Sequence, residues 1–492
     1  MYRSRSGFEL DKYAFKFLSS MSDDSVILLY DVFGSEAHSI MLYEIGFLTL
    51  VDLKKILKAL EEVKKNPNVL YPDDYEDIHE SVEAFVIKHA GNDSGGKMHT
   101  ARSRNDQVIL DIRMKIRDEI NDICNAVIDL IDSLLEKANE NKETVMPMYT
   151  HLQQAQIGSF SHFLLSYGDA LFRDMDRLYL SYGRINKSPL GACAIGGSSI
   201  NIDRKITAFL LGFDGLIKNS VDATTSRDSL IEFVSALSIL MITLSRMAED
   251  FIIWSTSEFG YIDIADKYSS TSSAMPQKKN PDVLEVIRAR TALMIGNLVT
   301  MFSTVKSLPS GYNRDLQELK PTLWKMSTAA LESLKIMTDL VKSLYIHKER
   351  MQQAASNSYA ISVDIAEQLV VKKGIPFRSA HKVVGALVEK AVSKNNIEFT
   401  MLQKEDIDDV LKKIESNLQP AELIQIIREL TPNKSLELRI SSGSPNPKEQ
   451  HDMISSSYRK LAGYREGVSK RKRSIAVAFD NLAKSTENYL TA

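Results

Sequence analysis

Long runs of apolar positions at helical spacing dominate the middle of the chain. Between about residues 105 and 360, apolar side chains recur at intervals of three and four, the period of a helix with one buried face. The runs predict helices over residues 108–138, 151–183, 226–256 and 281–305. Helices of this length rarely serve a small globular core. The pattern therefore predicts a bundle whose remaining apolar faces suit association between subunits.

The pattern changes on both sides of this bundle. Residues 1 to about 105 mix short helical segments with loops, and shorter helices with Lys/Glu-rich faces return from about residue 361. We predict three domains, namely residues 1–105, a central long-helix bundle over 106–360, and a small helical C-terminal domain over 361–492. Two Gly/Ser/Thr-rich interruptions, residues 191–199 and 268–280, are candidate functional loops.

Composition supports a mainly α protein with a large interior. Only 22 Gly and 13 Pro occur in 492 residues, whereas strand-rich folds need turn residues often. The hydrophobic share of 44% is ample for the two to four domains that this length implies. A net charge of −3 gives no reason to expect a nucleic-acid partner, and the basic run 470–473 fits a solvated helix face.

The sequence lacks the features expected of a disulfide-rich, metal-binding, secreted or membrane protein. Two cysteines exclude a disulfide framework and a four-cysteine metal site, and they fit a reducing cytosol. The first residues lack the apolar segment of a signal peptide, and the uncharged stretches 233–245 and 291–305 are shorter than the roughly 18 residues that span a membrane. We therefore expect a soluble, cytoplasmic protein. Without nucleotide-binding or metal-binding motifs, we also expect neither cofactor nor metal.

Residues 269–285, SSTSSAMPQKKNPDVLE, form the segment richest in candidate chemistry. The hydroxyl residues and the proline predict a polar loop, after which Asn280 suits a helix N-cap and Pro281 the first helical position. The loop would bring Lys278 and Lys279 to the positive end of that helix. An anionic substrate would be held there, and a serine hydroxyl would be driven towards its alkoxide. A lone SSxxP would more often be a surface loop that caps a helix.

This loop also carries a family resemblance. TSSAMPQKKNPD resembles the fumarase/aspartase superfamily loop GSSxMPxKxNP, and its 277–282 portion resembles the argininosuccinate lyase family. Thr271 stands where the superfamily usually has Gly, which narrows the backbone conformations open to the loop. Three further segments are similar to argininosuccinate lyase motifs: HTARSRNDQ at 99–107, THLQQAQ at 150–156 and YNRDLQELK at 312–320. In the last, Leu319 replaces an acid.

Weaker similarities extend the resemblance along the chain. They lie in FLSSMSDD at 17–24, EDIH at 76–79, SPLGACAIGGSSINIDR at 188–204, NSVDATTSRD at 219–228 and PFRSAHKVVG at 376–385. Because the motifs follow one another in the family's order from about residue 17 to the last quarter, coincidence is a poor explanation.

The resemblance implies a fold and a reaction. The implied fold is mainly α, with three fumarase/aspartase-like domains, and four chains form a homotetramer with a core of about twenty helices. Each active site would be built from three subunits, with substrate-binding segments in the first domain and the catalytic loop in the second. The implied reaction is the cofactor-free elimination of argininosuccinate to arginine and fumarate, the last step of arginine biosynthesis.

The catalytic residues that the resemblance implies fit the demands of such an elimination. The proton leaves a weakly acidic carbon beside a carboxylate, so a strong base is needed and the dianionic intermediate must be stabilised. Ser272 matches the base, and Lys278 supports its ionisation. His151 matches the acid that protonates the leaving nitrogen, and Glu285 matches the carboxylate that orients it.

Substrate recognition is assigned in the same way. Arginine forks such as Arg102 and Arg104 suit carboxylates, Asp77 suits an α-amino group, and Lys320 suits an α-carboxylate. The substrate-binding positions are Ser20, Asp24, Asp77, His79, Ser103, Arg104, Asn105, Thr150, Asn280, Tyr312, Gln317 and Lys320. The sequence leaves open whether Arg227 contacts the loop or the substrate or forms a structural salt bridge. His162, eleven residues after His151 and on the same predicted helix, is expected to be structural.

Two alternatives remain open at the level of sequence. A sister lyase such as adenylosuccinate lyase acts on another fumaryl adduct, but those enzymes carry a different residue pair in the loop and lack HTARSRNDQ and YNRDLQ together. A catalytically silent, crystallin-like member of the family would retain the fold without the activity. The presence of Ser272, His151, Glu285 and Lys278 argues against the second alternative.

Overall fold

The computed structural model of the protein describes residues 11–70 and 74–492, and these residues are mainly helical. The predicted fold class is therefore confirmed. The amino-terminal part contains six helices: α1 (Lys12–Leu18), α2 (Met21–Asp24), α3 (Leu28–Glu44), α4 (Leu50–Lys65), α5 (Ile78–Ala90) and α6 (Asn92–Gly95).

Helix α4 shows how local sequence sets up the amino-terminal layer. Thr49 caps its first turn and Asp52 bonds back to the cap, which satisfies backbone N–H groups that the helix itself leaves free. One face then buries Leu53, Leu57 and Leu60 against α3 and α5. This packing makes a core that is distinct from the core of the central bundle.

The central part contains the predicted long helices and several short strands. Its elements are α7 (Arg104–Glu140), β1 (Val145–Thr150), β2 (Gln153–Ser159), α8 (Phe160–Ile185), α9 (Arg204–Leu210), α10 (Ser220–Thr225), α11 (Asp228–Ser255), β3 (Ile262–Asp263), β4 (Ser270–Thr271), β5 (Lys279–Asn280), α12 (Asp282–Val305), α13 (Leu319–Ser343), β6 (Tyr345–Ile346) and α14 (Lys348–Ser356). Helix α7 packs along α8 and α13, and α11 packs along α8, α12 and α13. The long-helix bundle is confirmed.

Helix α11 is long and apolar enough, by length and composition alone, to cross a membrane. In the structure, Phe233, Leu237, Leu244 and Phe251 are fully buried in the core of the bundle. These side chains form the face of α11 that packs within the bundle.

The prediction of a helix from residue 151 is wrong, because residues 145–159 form the antiparallel hairpin β1–β2. His151 and Leu152 have positive φ angles of 55° and 57°, the conformation that a two-residue hairpin turn requires. Helix α8 begins only at Phe160, where Ser159 caps it by accepting a hydrogen bond from the backbone N–H of His162. His151 and His162 therefore do not share a helix face.

The last part contains α15 (Ser362–Lys373), α16 (Phe377–Ser393), α17 (Lys404–Lys413), α18 (Pro420–Glu429), α19 (Pro432–Leu438) and α20 (Pro447–Thr491). Helices α15 to α18 share a small core that includes Leu369, Leu387, Leu411 and Leu423.

The expectation that only shorter helices follow residue 361 is wrong for α20, which has 45 residues. It leaves the small C-terminal core and packs along α7, α8 and α4. Its large buried apolar side chains are seven residues apart, at Ile454, Leu461, Val468, Ile475 and Leu482. They form a narrow apolar stripe, which apolar periodicity does not reveal in an otherwise polar segment. We propose that the C-terminal domain spans 361–446 and that α20 belongs to the body of the molecule.

Candidate active site

Predicted binding residues from distant parts of the chain meet around Asp24 at the end of α2. The ammonium of Lys320 forms a buried ion pair with the Asp24 carboxylate. Ser20 Oγ donates to Asp24 Oδ2 at 2.7 Å, and Gln317 Nε2 donates to the carbonyl oxygen of Leu18 at 3.2 Å. The structure thus brings the 17–24 and 312–320 segments together within one chain, whereas the resemblance implied that the motifs converge only across subunits.

Asp77 connects this group to the start of the longest central helix. One carboxylate oxygen of Asp77 caps α5 by accepting from Glu80 N at 2.9 Å, and the other lies 3.0 Å from Arg104 Nη1. In this structure, Arg104 and Asp77 neutralise each other, as Lys320 and Asp24 do. We call the residues Ser20, Asp24, Asp77, Arg104, Gln317 and Lys320 the amino-terminal cluster.

Ser103 and Asn105 shape the first turn of α7. Ser103 Oγ accepts from Asn105 N at 3.3 Å, so its hydroxyl serves as a helix cap. Asn105 Nδ2 donates to the carbonyl oxygen of Ala194 at 2.9 Å, which joins this turn to the predicted loop 191–199.

Asp106 is a site-shaping residue that sequence reasoning missed. Its Oδ1 accepts from Ser103 N at 3.0 Å, and its Oδ2 accepts from Gly191 N at 2.9 Å and Cys193 N at 2.8 Å. The carboxylate therefore holds the start of α7 and the loop 191–199 in one position. The available signal was an acid three residues after Ser103, the spacing of a capping box.

Tyr312 lies beside two arginines. Burial raises the pKa of the Tyr312 hydroxyl. The positive charges of Arg227 and Arg314 act to lower that pKa, but they do not cancel the effect of burial. Arg227 is 2% exposed and donates to the carbonyl oxygens of Thr224 and Ser226, both at 3.1 Å, rather than to a carboxylate. The structural salt bridge considered for Arg227 is therefore not formed among the described residues.

His79 lies behind the amino-terminal cluster and is buried. Its Nδ1 is 2.8 Å from Asp31 Oδ1 and 3.5 Å from Asp111 Oδ2. Sequence reasoning missed both aspartates, because nothing in the local sequence distinguishes them from the other acids of α3 and α7. Their proximity depends on the packing of α3, α5 and α7.

Thr150 and His151 lie at the tip of the β1–β2 hairpin, and both are exposed. The tight turn holds the His151 imidazole on a rigid projection. The tip is open to contact with another chain.

The catalytic-loop candidate is closed at its base by a short ladder. Strand β4 pairs antiparallel with β5, so that Ser270 faces Asn280 and Thr271 faces Lys279. Thr271 lies in a strand, where a β-branched residue is well suited, so its replacement of Gly is compatible with the fold. Asn280 is not the N-cap that we predicted. Its Nδ2 donates to Ser270 Oγ at 3.3 Å, and α12 begins two residues later, at Asp282.

Ser272 occupies the first turn inside this closed loop. Its Oγ accepts from Ala274 N at 3.3 Å and from Met275 N at 3.1 Å. Two backbone N–H groups directed at one oxygen favour negative charge on that oxygen. Lys278 is exposed, whereas Lys279 forms ion pairs with Asp263 at 3.0 Å and Asp266 at 2.8 Å. The two lysines thus differ, since only Lys279 is bound to the base of the loop.

The candidate catalytic residues do not meet within one chain. In the part of the chain that the structure describes, no hydrogen bond or ion pair joins any two of Ser272, His151 and Glu285. Glu285 lies exposed in the first turn of α12. Over residues 11–70 and 74–492, neither the loop nor the hairpin tip is bonded to the amino-terminal cluster, so the predicted site residues fall into three separate groups.

Two family models match the sequence. One is described as a lyase and matches residues 5–296, and the other is described as the argininosuccinate lyase C-terminal region and matches residues 359–428. The chain is 47% identical to argininosuccinate lyase from Nitrosopumilus maritimus over 492 residues, which covers all of both chains. It is 40% identical to argininosuccinate lyase from Methanothrix thermoacetophila, with 97% of this chain and 96% of that protein covered.

Solved structures share the same architecture. EDDS lyase in complex with formate has a TM-score of 0.86 at 28% identity, covering 98% of this chain and 95% of that chain. Class II fumarase from Schistosoma mansoni has a TM-score of 0.67 at 17% identity, covering 83% and 95% respectively, which shows a common fold.

Proposed function

The chain belongs to the argininosuccinate lyase family, and from this premise we propose how its residues carry out the reaction. It is a carbon–nitrogen lyase of the fumarase/aspartase superfamily that splits argininosuccinate into arginine and fumarate. The elimination needs a base for the carbon-bound proton, an acid for the leaving nitrogen and a positive environment for the carboxylates. The described side chains offer each of these groups.

Ser272 is the proposed base. The observation that carries this assignment is the pair of hydrogen bonds that its Oγ accepts from Ala274 N and Met275 N. These N–H groups, with the Lys278 ammonium in the same loop, lower the cost of forming the alkoxide that removes the proton. Lys278 also offsets the charge that develops on the substrate carboxylate.

His151 is the proposed acid, and Glu285 is the carboxylate that orients its imidazole. A neighbouring carboxylate favours the protonated ring and fixes its direction, which suits proton delivery to the leaving guanidino nitrogen. The two residues are exposed and are not hydrogen-bonded to each other among the described residues, which supports a pairing between residues of different chains.

The remaining residues bind substrate. The amino-terminal cluster, with His79, Ser103, Asn105 and Tyr312, is assigned to the arginine end of the substrate, and Thr150 and Asn280 come from the hairpin and the loop. Lys320 and Arg104 already have carboxylate partners in Asp24 and Asp77. We propose that substrate carboxylates extend these ion pairs rather than meet isolated cations.

The active enzyme is proposed to be a homotetramer in which three chains form each site. The separation of the site residues within one chain supports this assembly. So do exposed apolar side chains along α12, where Leu293 is 68%, Val299 57% and Phe302 49% exposed. An apolar stripe of this kind on a long helix suits burial against another helix. We place the enzyme in the cytoplasm, in arginine biosynthesis.

Replacing the proposed base tests the assignment. We expect Ser272→Ala to lower kcat by about 10²–10⁴-fold, the usual contribution of a positioned acid or base, while the tetramer still binds argininosuccinate. Fumarate absorbance reports turnover, and calorimetry reports binding. Ser273→Ala is the matched control and should retain turnover. A Ser272→Ala enzyme within tenfold of wild type would remove Ser272 as the base.

The alternative activities are tested with the unmodified enzyme. We expect fumarate release from argininosuccinate but not from adenylosuccinate. Release from adenylosuccinate alone would favour the sister lyase, and an assembled tetramer silent with both substrates would favour the crystallin-like alternative.

A further inference from the structure

A buried group of three titratable side chains lies behind the amino-terminal cluster. Asp31 on α3, His79 on α5 and Asp111 on α7 are each at most 3% exposed. We call them the buried triad. Two carboxyl groups share one imidazole here, with Nδ1 2.8 Å from Asp31 and 3.5 Å from Asp111.

The two carboxyl groups have different surroundings. Asp31 Oδ1 accepts from His79 Nδ1 and from the amide of Gln107, whereas neither oxygen of Asp111 has a hydrogen-bond partner among the described residues. Two buried carboxyl groups this close are poorly able to ionise together. Burial and the adjacent Asp31 raise the pKa of Asp111 well above its usual range. Burial is the largest single effect on Asp31 and acts to raise its pKa. The charges of His79 and Arg102 and the hydrogen bonds from His79 and Gln107 together outweigh burial, so the pKa of Asp31 is lowered.

The second nitrogen of His79 lacks a partner. Nε2 is buried and has no hydrogen-bond partner among the described residues. Burial lowers the pKa of the imidazole, but the charges of Asp31, Asp77 and Asp24 outweigh burial, so that the net pKa is raised. The ring therefore favours its charged form, in which Nε2–H is a donor without an acceptor. An unpaired buried donor is unfavourable, and an incoming anion that accepts from it removes this cost.

We propose that Asp31 is a positioning residue that keeps His79 charged and oriented, so that the His79 Nε2–H donates to a carboxylate of the substrate. Asp111 remains protonated and carries no charge. The proposal rests on the proposed function, since it takes the amino-terminal cluster as the substrate site. The charged and titratable groups that act on the triad come from several elements packed around it: Asp24 with its partner Lys320, Asp77 with its partner Arg104, and Arg102 and His99 before α7.

A divalent metal is the competing occupant, because the ligand atoms of the triad lie within 4.8 Å of one another. The distances favour a hydrogen bond. Ligand atoms at about 2.0–2.2 Å from one tetrahedral ion stay roughly 3.3 Å or more apart. The Asp31–His79 separation of 2.8 Å is shorter than this.

Two isosteric replacements separate the roles of the aspartates. Asp31→Asn is made in the Asp111→Asn background, so that Asp111 cannot ionise in its place. The amide at position 31 still accepts from Nδ1 but no carboxylate remains in the triad, so His79 loses its proton at lower pH. We expect the alkaline limb of kcat/KM to move towards acid by about 1–3 pH units, the usual effect of one neighbouring charge. At pH 8 the resulting loss should be at least about tenfold and should appear mainly as a higher KM. In Asp111→Asn a neutral amide replaces a neutral acid, and the limb should stay within about half a unit.

A spectroscopic measurement keeps the proposal testable if the double variant, Asp31→Asn with Asp111→Asn, does not fold. Protein labelled with ¹³C at histidine Cε1 gives a His79 signal, identified as the signal missing from His79→Gln. It should keep its imidazolium shift above pH 7.5 in wild type and in Asp111→Asn. A neutral His79 at pH 7, equal shifts of the two pH profiles, or a stoichiometric divalent ion lost from both variants would overturn the proposal. A wild-type enzyme without lyase activity would reject the proposed function instead, and the NMR result would still stand.

Discussion

At the scale of single residues, variants of the Lys320–Asp24 pair distinguish an effect on the free energy of unfolding from an effect on substrate binding. Both side chains are buried, so removing one partner leaves an uncompensated charge that costs about 3–5 kcal/mol. We expect Lys320→Met to lower the free energy of unfolding by this amount and to raise KM. Adding Asp24→Asn should restore most of the stability in urea unfolding, because no buried charge remains, without restoring KM. Recovery of both properties together would show that Lys320 has no role in binding.

The adjacent lysines of the catalytic loop give a second prediction at this scale. Lys279 is held by Asp263 and Asp266, whereas Lys278 is the lysine available to the proposed alkoxide. We expect Lys278→Met to lower kcat by at least about 10²-fold, as loss of one preorganised charge donor does, and Lys279→Met to lower kcat by less than about tenfold. Steady-state rates from fumarate absorbance decide between them. A larger loss in Lys279→Met would reverse the assignment.

A residue's role could be predicted from the sequence only where the evidence for it lies in neighbouring positions of the chain. Ser272, Lys278 and Asn105 lie in contiguous strings whose residue types already suggest their chemistry. Asp31 and Asp111 are 80 positions apart and act through His79, which belongs to a third helix. Such a contact depends on tertiary packing, and a single sequence carries no local signal for it.

At the scale of elements, apolar periodicity predicted the long helices α7, α11 and α12. It failed at the β1–β2 hairpin, because the turn depends on positive φ angles at His151 and Leu152, residues that are not typical of such turns. It also failed for α20, where the large apolar side chains are buried only at every seventh position from Ile454 to Leu482 and most other positions are polar. In both cases packing, rather than local propensity, decides the structure.

The start of α7 allows a prediction about one element. Asp106→Ala removes hydrogen bonds to Ser103 N, Gly191 N and Cys193 N, so we expect a lower melting temperature and a higher KM as the Ser103–Asn105 turn loosens. The control is Asp52→Ala, which removes the equivalent capping box of α4. It should lose about 1–2 kcal/mol of stability with KM unchanged. Equal changes in KM would mean that the effect is general destabilisation.

At the scale of the whole molecule, the proposed site is divided among three parts of one chain, so the proposal makes activity depend on the assembly. The hairpin carries His151 and the loop carries Ser272 and Lys278, and no hydrogen bond or ion pair joins hairpin and loop among the described residues. If the two segments enter a site from different chains, two inactive variants can supply each other's missing group. If both come from one chain, no mixture recovers activity.

Mixed tetramers test this directly. Ser272→Ala and His151→Asn are unfolded together in equal amounts and refolded. Half of the sites then receive an intact loop, and half of those receive an intact hairpin, so about a quarter of wild-type activity should return. The matched control mixes Ser272→Ala with Lys278→Met, which should recover nothing because both residues enter a site in the same loop. Mass spectrometry of the intact tetramers verifies that the chains have mixed. Mixed tetramers that stay inactive with the first pair would place Ser272 and His151 of each site on one chain, and the proposed three-chain site would have to be abandoned.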